Sequence, residues 1–180
     1  MKGIVFTEFL EMVEVQFSPE MADAIIEASD LSTAGAYSAV GTYPHAELVQ
    51  LVRHLSTRSS IPVPDLLRAF GKHLFRRFAI GFPMFFTDVS TVFEFLRGLE
   101  NYIHVEVRKL YPDAELPTFL CRQVDDQTLE MTYQSVRGLA DFAHGLMEGC
   151  FVHFGETIDV ARDDLSQGRG TEVRFTLTRQ

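Results

Sequence analysis

The sequence predicts an α+β fold: N-terminal helices, then a four-stranded antiparallel sheet with a helix packed in it. Apolar residues recur at helical spacing through about the first 110 positions. After Pro117 the pattern changes to short alternating segments. One helical stretch, 137–153, interrupts those segments.

Segment 4–17 puts Phe6, Phe9, Leu10, Val13 and Phe17 on a helical face. Ser18-Pro19 pairs an N-cap with proline at the first helical position and predicts a helix through Ala28. Pro44 opens another, to about Leu55. The Pro62/Pro64 pair precedes a helix from Asp65 to about Ile80, which Gly81-Phe82-Pro83 interrupts. Asp88 or Ser90 then caps a long helix to about Tyr111. Pro112 ends it, because the residue before a proline is pushed out of helical conformation.

Thr118–Val124 and Thr128–Gln134 read as strands, with Asp125-Asp126-Gln127 turning between them. The helix over 137–153 places Leu139, Phe142, Ala143, Leu146 and Met147 on one face. Glu156–Arg162 and Thr171–Arg179 read as a closing strand pair around Gly168-Arg169-Gly170.

A length of 180 residues fits one domain, with a helical part over 1–60 and the remainder over 61–180. A chain of this size buries about 70% of its unfolded surface. There are 16 Phe and no Trp, enough rings for a large core or for a cavity around a flat apolar ligand. Net charge is −9, which argues against nucleic acid or an anionic membrane as partner. Glu8, Glu11 and Glu14 interrupt the N-terminus, so no secretory leader is expected. The most apolar stretch, Phe78 to Leu96, contains Asp88 and Glu94, so no membrane span is expected and the cytoplasm is the default location. Two cysteines, Cys121 and Cys150, are too few for a disulfide framework or a cysteine-rich metal site.

Three features carry chemistry. His104 sits at the edge of an apolar stripe through Leu96, Ile103, Val107 and Leu110. It is either a half-buried histidine with a structural hydrogen bond or an axial ligand to iron, a role that neutral imidazole on a rigid helix fills. In an extended segment Leu129, Met131, Tyr133, Ser135 and Arg137 share a face. Its polar end offers two hydroxyls and a guanidinium. They either serve the protein's own carboxylates and backbone or grip the carboxylates of an acidic ligand. Pro117 either breaks structure before the first strand or presses on a planar ligand from the His104 side. No zinc-type histidine spacing and no glycine-rich phosphate loop is present, and the chain is expected not to be an enzyme.

Together these residues resemble the H-NOX (haem nitric oxide/oxygen binding) domains, bacterial gas sensors similar to the haem domain of soluble guanylate cyclase. The resemblance spans the chain. It includes the Met1-Lys2-Gly3 start, the helical His104, Tyr111-Pro112, Pro117-Thr118-Phe119-Leu120-Cys121 and the Tyr-x-Ser-x-Arg motif at 133–137. It implies haem b (iron protoporphyrin IX) between the two parts of the fold, with His104 as proximal ligand. Tyr133, Ser135 and Arg137 would bind the propionates, and Pro117 would pack on the haem. Val5, Phe9, Phe78, Phe82 and Leu146 fall at pocket-wall positions. Oxygen-binding members carry a distal tyrosine five residues after the motif arginine, and here that position is Phe142. The resemblance therefore implies a nitric oxide sensor that also binds CO and scarcely binds O2. NO would weaken the His104–iron bond, and the changed surface would act on a separate histidine kinase or cyclic-di-GMP enzyme. Cys121 resembles a cysteine of guanylate cyclase haem domains, so a redox input stands beside simple packing; Cys150 has only packing. Two other readings are an apolar-ligand carrier without haem and a haem enzyme such as a peroxidase.

Overall fold

The computed structural model describes residues 1–180. Helix α1 (Gly3–Gln16) turns Phe6, Phe9, Met12 and Val13 inward. Helix α2 (Pro19–Glu27) starts at Ser18, whose Oγ accepts the Met21 N–H at 3.2 Å, removing one of the unpaired first-turn donors. Helices α3 (His45–Ser59) and α4 (Val63–Gly81) complete the first core. There Phe6, Phe9, Ile25, Leu48, Leu51, Phe70 and Leu74 are buried together. Full burial of such a side chain contributes about 1.5–3 kcal/mol.

A single 3₁₀ turn (Pro83–Phe86) follows α4. The expected long helix to Tyr111 is instead three pieces: α5 (Val92–Arg97), a π turn (Leu99–Ile103) and α6 (His104–Leu110). Thr91, not Asp88 or Ser90, is the cap; its Oγ1 accepts the Glu94 N–H at 3.3 Å. Gly98 closes α5, and the next turn widens so that the His104 N–H bonds Leu99 O, five residues back. Glycine is a poor helix former, so the break falls where continuation is least favourable.

Strands β1 (Thr118–Gln123), β2 (Thr128–Gln134), β3 (Ile158–Asp164) and β4 (Glu172–Arg179) form one antiparallel sheet in the order β1-β2-β4-β3. Helix α7 (Ala140–Phe154) lies between β2 and β3 in sequence. It starts three residues later than the spacing predicts because Gly138 takes φ +62°, outside the helical region. Gly155, at φ +67°, ends α7, and β3 begins only after Glu156 and Thr157. The second core joins Phe75, Phe93, Phe95 and Leu96 to Leu129, Met131, Val173, Phe175 and Leu177 of the sheet and Met147, Cys150 and Phe151 of α7. Helix α4 thus serves both cores. No helix is long and apolar enough to cross a membrane.

Candidate functional site

A cavity of about 670 Å³ runs between the two cores. That lies within the range of about 300–1,000 Å³ typical of small-molecule and cofactor sites. Of the 37 residues around it 27 are hydrophobic, so the space suits a large, mostly apolar ligand.

His104 lines this space and is itself buried. Its Nδ1 lies 3.0 Å from Glu100 Oε1, one helical turn back. A carboxylate only accepts, so Nδ1 carries the proton and Nε2 keeps its lone pair. Burial pulls the imidazole below its ordinary pKa, partly offset by Glu100. The ring is therefore neutral at physiological pH, the form that ligates a metal. Glu100 Oε1 also accepts the Phe119 N–H at 2.8 Å, a link that the sequence reading missed. Pro117 also lines the cavity, two residues before Phe119.

The Tyr-x-Ser-x-Arg residues all reach the cavity, by two routes. Leu129, Met131 and Tyr133 alternate inward along β2, as a strand requires. The strand ends at Gln134, so Ser135 and Arg137 approach from the turn after it. Burial raises the Tyr133 pKa, so its hydroxyl stays protonated. That oxygen accepts the Leu139 N–H at 3.2 Å and keeps its own proton to donate. The Arg137 side chain, only 11% exposed, bonds the Glu115 carbonyl and carboxylate, each at 2.6 Å. The Met1 amine and His45 also line this region. Burial and the nearby Arg137 charge lower the pKa of His45.

The other walls come from α1, α4 and α7. Val5, Phe78, Phe82, Phe142 and Leu146 all line them. Phe9 does not: it is fully buried in the first core, its ring 5.1 Å from Phe70. Phe142, which does line the cavity, stacks on Phe70 at 5.0 Å. Three tyrosines reach the cavity, and none is on α4 or α7 beside Phe142. Tyr43 precedes α3 and accepts the Ser38 N–H at 2.9 Å, Tyr111 caps α6, and Tyr133 is on β2. Cys121 is an exposed residue whose sulfur is turned to Leu96 O at 3.5 Å; desolvation of that sulfur and the nearby Glu100 charge raise its pKa to about 11, so it is held as the thiol. That environment does not prime it for oxidation.

The haem-NO-binding (HNOB) family model matches residues 2–162. The chain belongs to this H-NOX family. No curated protein matches the sequence. Among solved structures, the Fe(II) unliganded H-NOX protein from K. algicida is 40% identical with a TM-score of 0.95, covering 100% of this chain and 97% of that one. The IWP-051-bound H-NOX from Shewanella woodyi, in the Fe(II)CO state, is 42% identical with a TM-score of 0.85, covering 100% and 95%. The S. oneidensis H-NOX in the Fe(II)NO state is 26% identical with a TM-score of 0.92, covering 100% and 99%. H-NOX domains are haem-based gas sensors and generally not themselves enzymes. The residues of this H-NOX domain fit a haem. The cavity is large and apolar, the neutral imidazole of His104 lines it with Nε2 unpaired, and a guanidinium and two hydroxyls line it as well.

Proposed function

We propose that this H-NOX domain is a nitric oxide sensor that also takes CO and scarcely binds O2. The observation that carries this reading is the chemistry of the α1, α4 and α7 walls. Val5, Phe78, Phe82, Phe142 and Leu146 offer no N–H or O–H. Bound O2 is polarised and is held better by a donor, a neutral hydrogen bond contributing about 1 kcal/mol and more in a dry pocket. NO and CO need no such donor.

His104 would hold the haem iron through Nε2. Tyr133, Ser135 and Arg137 orient haem b through its two carboxylates, and Pro117 packs on the His104 side. Haem, when bound, would supply a ferrous iron able to take NO or CO, and His104 would be held less firmly in the NO-bound protein. The protein then reads out how firmly His104 is held. A looser hold frees α6, a seven-residue helix behind a π turn, and shifts the balance between two states of the domain. The changed surface acts on a separate signalling protein, a histidine kinase or a cyclic-di-GMP enzyme by the family resemblance.

Absorption spectra of the reduced protein test this. A Soret band that shifts with NO and with CO, and no stable oxy spectrum in air, is expected. A stable oxy form would sink the NO-selective reading. Protein that stays colourless after expression with added haem would favour an apolar-ligand carrier instead. Phe142→Tyr, which places a donor on the α7 wall, is expected to create measurable O2 binding.

A further inference from the structure

We propose that Glu100 is the positioning residue of His104, and that its carboxylate couples the state of the imidazole to the edge strand β1. The inference rests on the reading that His104 holds the haem iron. One oxygen, Glu100 Oε1, accepts from two elements at once: His104 Nδ1–H at 3.0 Å and the Phe119 N–H of β1 at 2.8 Å. Glu100 itself lies in the π turn. Three consecutive features of the fold, the π turn, α6 and β1, therefore meet at one atom.

The chemistry follows from the bond partners. A carboxylate accepting from Nδ1 fixes the tautomer that leaves the Nε2 lone pair for a metal. It also pushes electron density into the ring and makes Nε2 a stronger donor. The effect is larger because His104 is buried, where charge is poorly screened. Glu100 thereby sets how readily His104 is released.

The second bond gives the coupling. Oε1 is shared, so a ring that moves or turns changes what the Phe119 N–H receives. β1 is an edge strand, paired only with β2. Apart from Phe119 its residues are exposed. It is therefore held less firmly than the central strands and is free to respond. The π turn brings this about: it interrupts a helix in the sequence that reads as continuous, just before the ligand residue.

The test uses haem-loaded wild type, Glu100→Gln and Glu100→Ala. The iron–histidine stretching band of the ferrous protein is read by resonance Raman, and haem transfer to an acceptor protein is timed. The expected result is a lower stretching frequency in Glu100→Gln, which keeps an acceptor but not the charge, and a lower one still in Glu100→Ala. Haem loss is expected to quicken by about 10- to 100-fold in Glu100→Ala, as for other partners of metal-bound histidines. A merely structural Glu100 would change stability and leave the band in place, so an unchanged band in both variants overturns the positioning role. Absence of any iron–histidine band in the wild type would overturn the haem reading itself. Hydrogen exchange of the peptide 118–123 tests the coupling. NO is expected to speed exchange in the wild type and to add nothing in Glu100→Ala, where exchange is already fast. A wild-type peptide indifferent to NO overturns the link to β1.

Discussion

A guanidinium carries five N–H donors in a fixed fork. Arg137 directs two of them at Glu115, one to its carbonyl and one to its carboxylate, leaving three for the carboxylates of a ligand. A charge-assisted hydrogen bond contributes about 1.5–3 kcal/mol. Arg137→Ala is therefore expected to speed haem loss by about 10- to 100-fold, with Arg137→Lys between it and the wild type because charge survives and the fork does not. Equal rates in all three proteins would remove Arg137 from the haem site. That this residue would share one cavity with His104, Tyr133, Ser135 and Pro117 was legible in the sequence, because each carries a distinctive chemistry at a distinctive spacing. Phe9 was not placed correctly, since a helical face announces burial but not whether a ring packs in the core or lines the cavity. Glu100 was missed although it stands four residues before His104. Its double role depends on Phe119, nineteen residues on, and no periodicity reports a contact of that range. Met1 and His45 reach the cavity through a comparable long-range pairing, the bridge between Lys2 and Thr42.

Between elements, α4 and α7 cross where their backbones nearly touch. A Cβ on Gly145 would stand 2.1 Å from Arg68 O, and one on Gly71 would stand 2.4 Å from Phe142 O. Neither carbonyl is a flexible chain end, so the helices themselves must part. Gly145→Ala is expected to cost about 1–3 kcal/mol or more, read as a lower urea midpoint, and to disturb the wall that Phe142 and Leu146 provide. A midpoint equal to the wild type's would mean that the helices separate freely. The elements themselves were largely readable from caps and spacing. What spacing could not show is a change of winding: the apolar stripe from Leu96 to Leu110 runs unbroken in sequence across a π turn. Helices α1 and α4 are joined by a titratable cluster, His73 and Arg77 with Glu8 and Glu11. Burial lowers the pKa of His73, with Glu8 and Glu11 opposing and Arg76 assisting. His45 and His144 are lowered too, again chiefly by burial. The unfolded chain then binds protons more readily than the folded one just below the ordinary histidine pKa. Stability contributed by these groups is present above that pKa and lost as pH falls through it. The Tm of the domain is expected to drop as pH falls from about 7 towards 5, and less steeply in His73→Gln. An equal slope in that variant would exclude His73 as a source.

Across the whole molecule, the proposed function requires a route by which a change at His104, on the second core's side, would reach the N-terminal helices. Helix α4 is shared by both cores and too firmly seated to be the moving part. The segment after α6 offers another route. Asp113 follows α6 by three residues, and its carboxylate binds Lys2 Nζ at 3.1 Å and accepts from Thr42 Oγ1 at 2.6 Å. Those two bonds hold its pKa below the usual carboxylate range. Lys2 is the N-cap of α1 and also donates to Val40 O and Thr42 Oγ1. A displacement of α6 therefore pulls directly on the start of α1. Asp113 is exposed and Lys2 keeps its bonds to Val40 O and Thr42 Oγ1 without it, so removal of Asp113 should separate transmission from folding. Asp113→Ala is expected to keep the Tm and the NO-induced spectral shift of the wild type. It should lose most of the NO-induced change in hydrogen exchange over residues 3–16. A variant that binds NO normally and still transmits the full change to α1 would show that the signal crosses the cavity by another path.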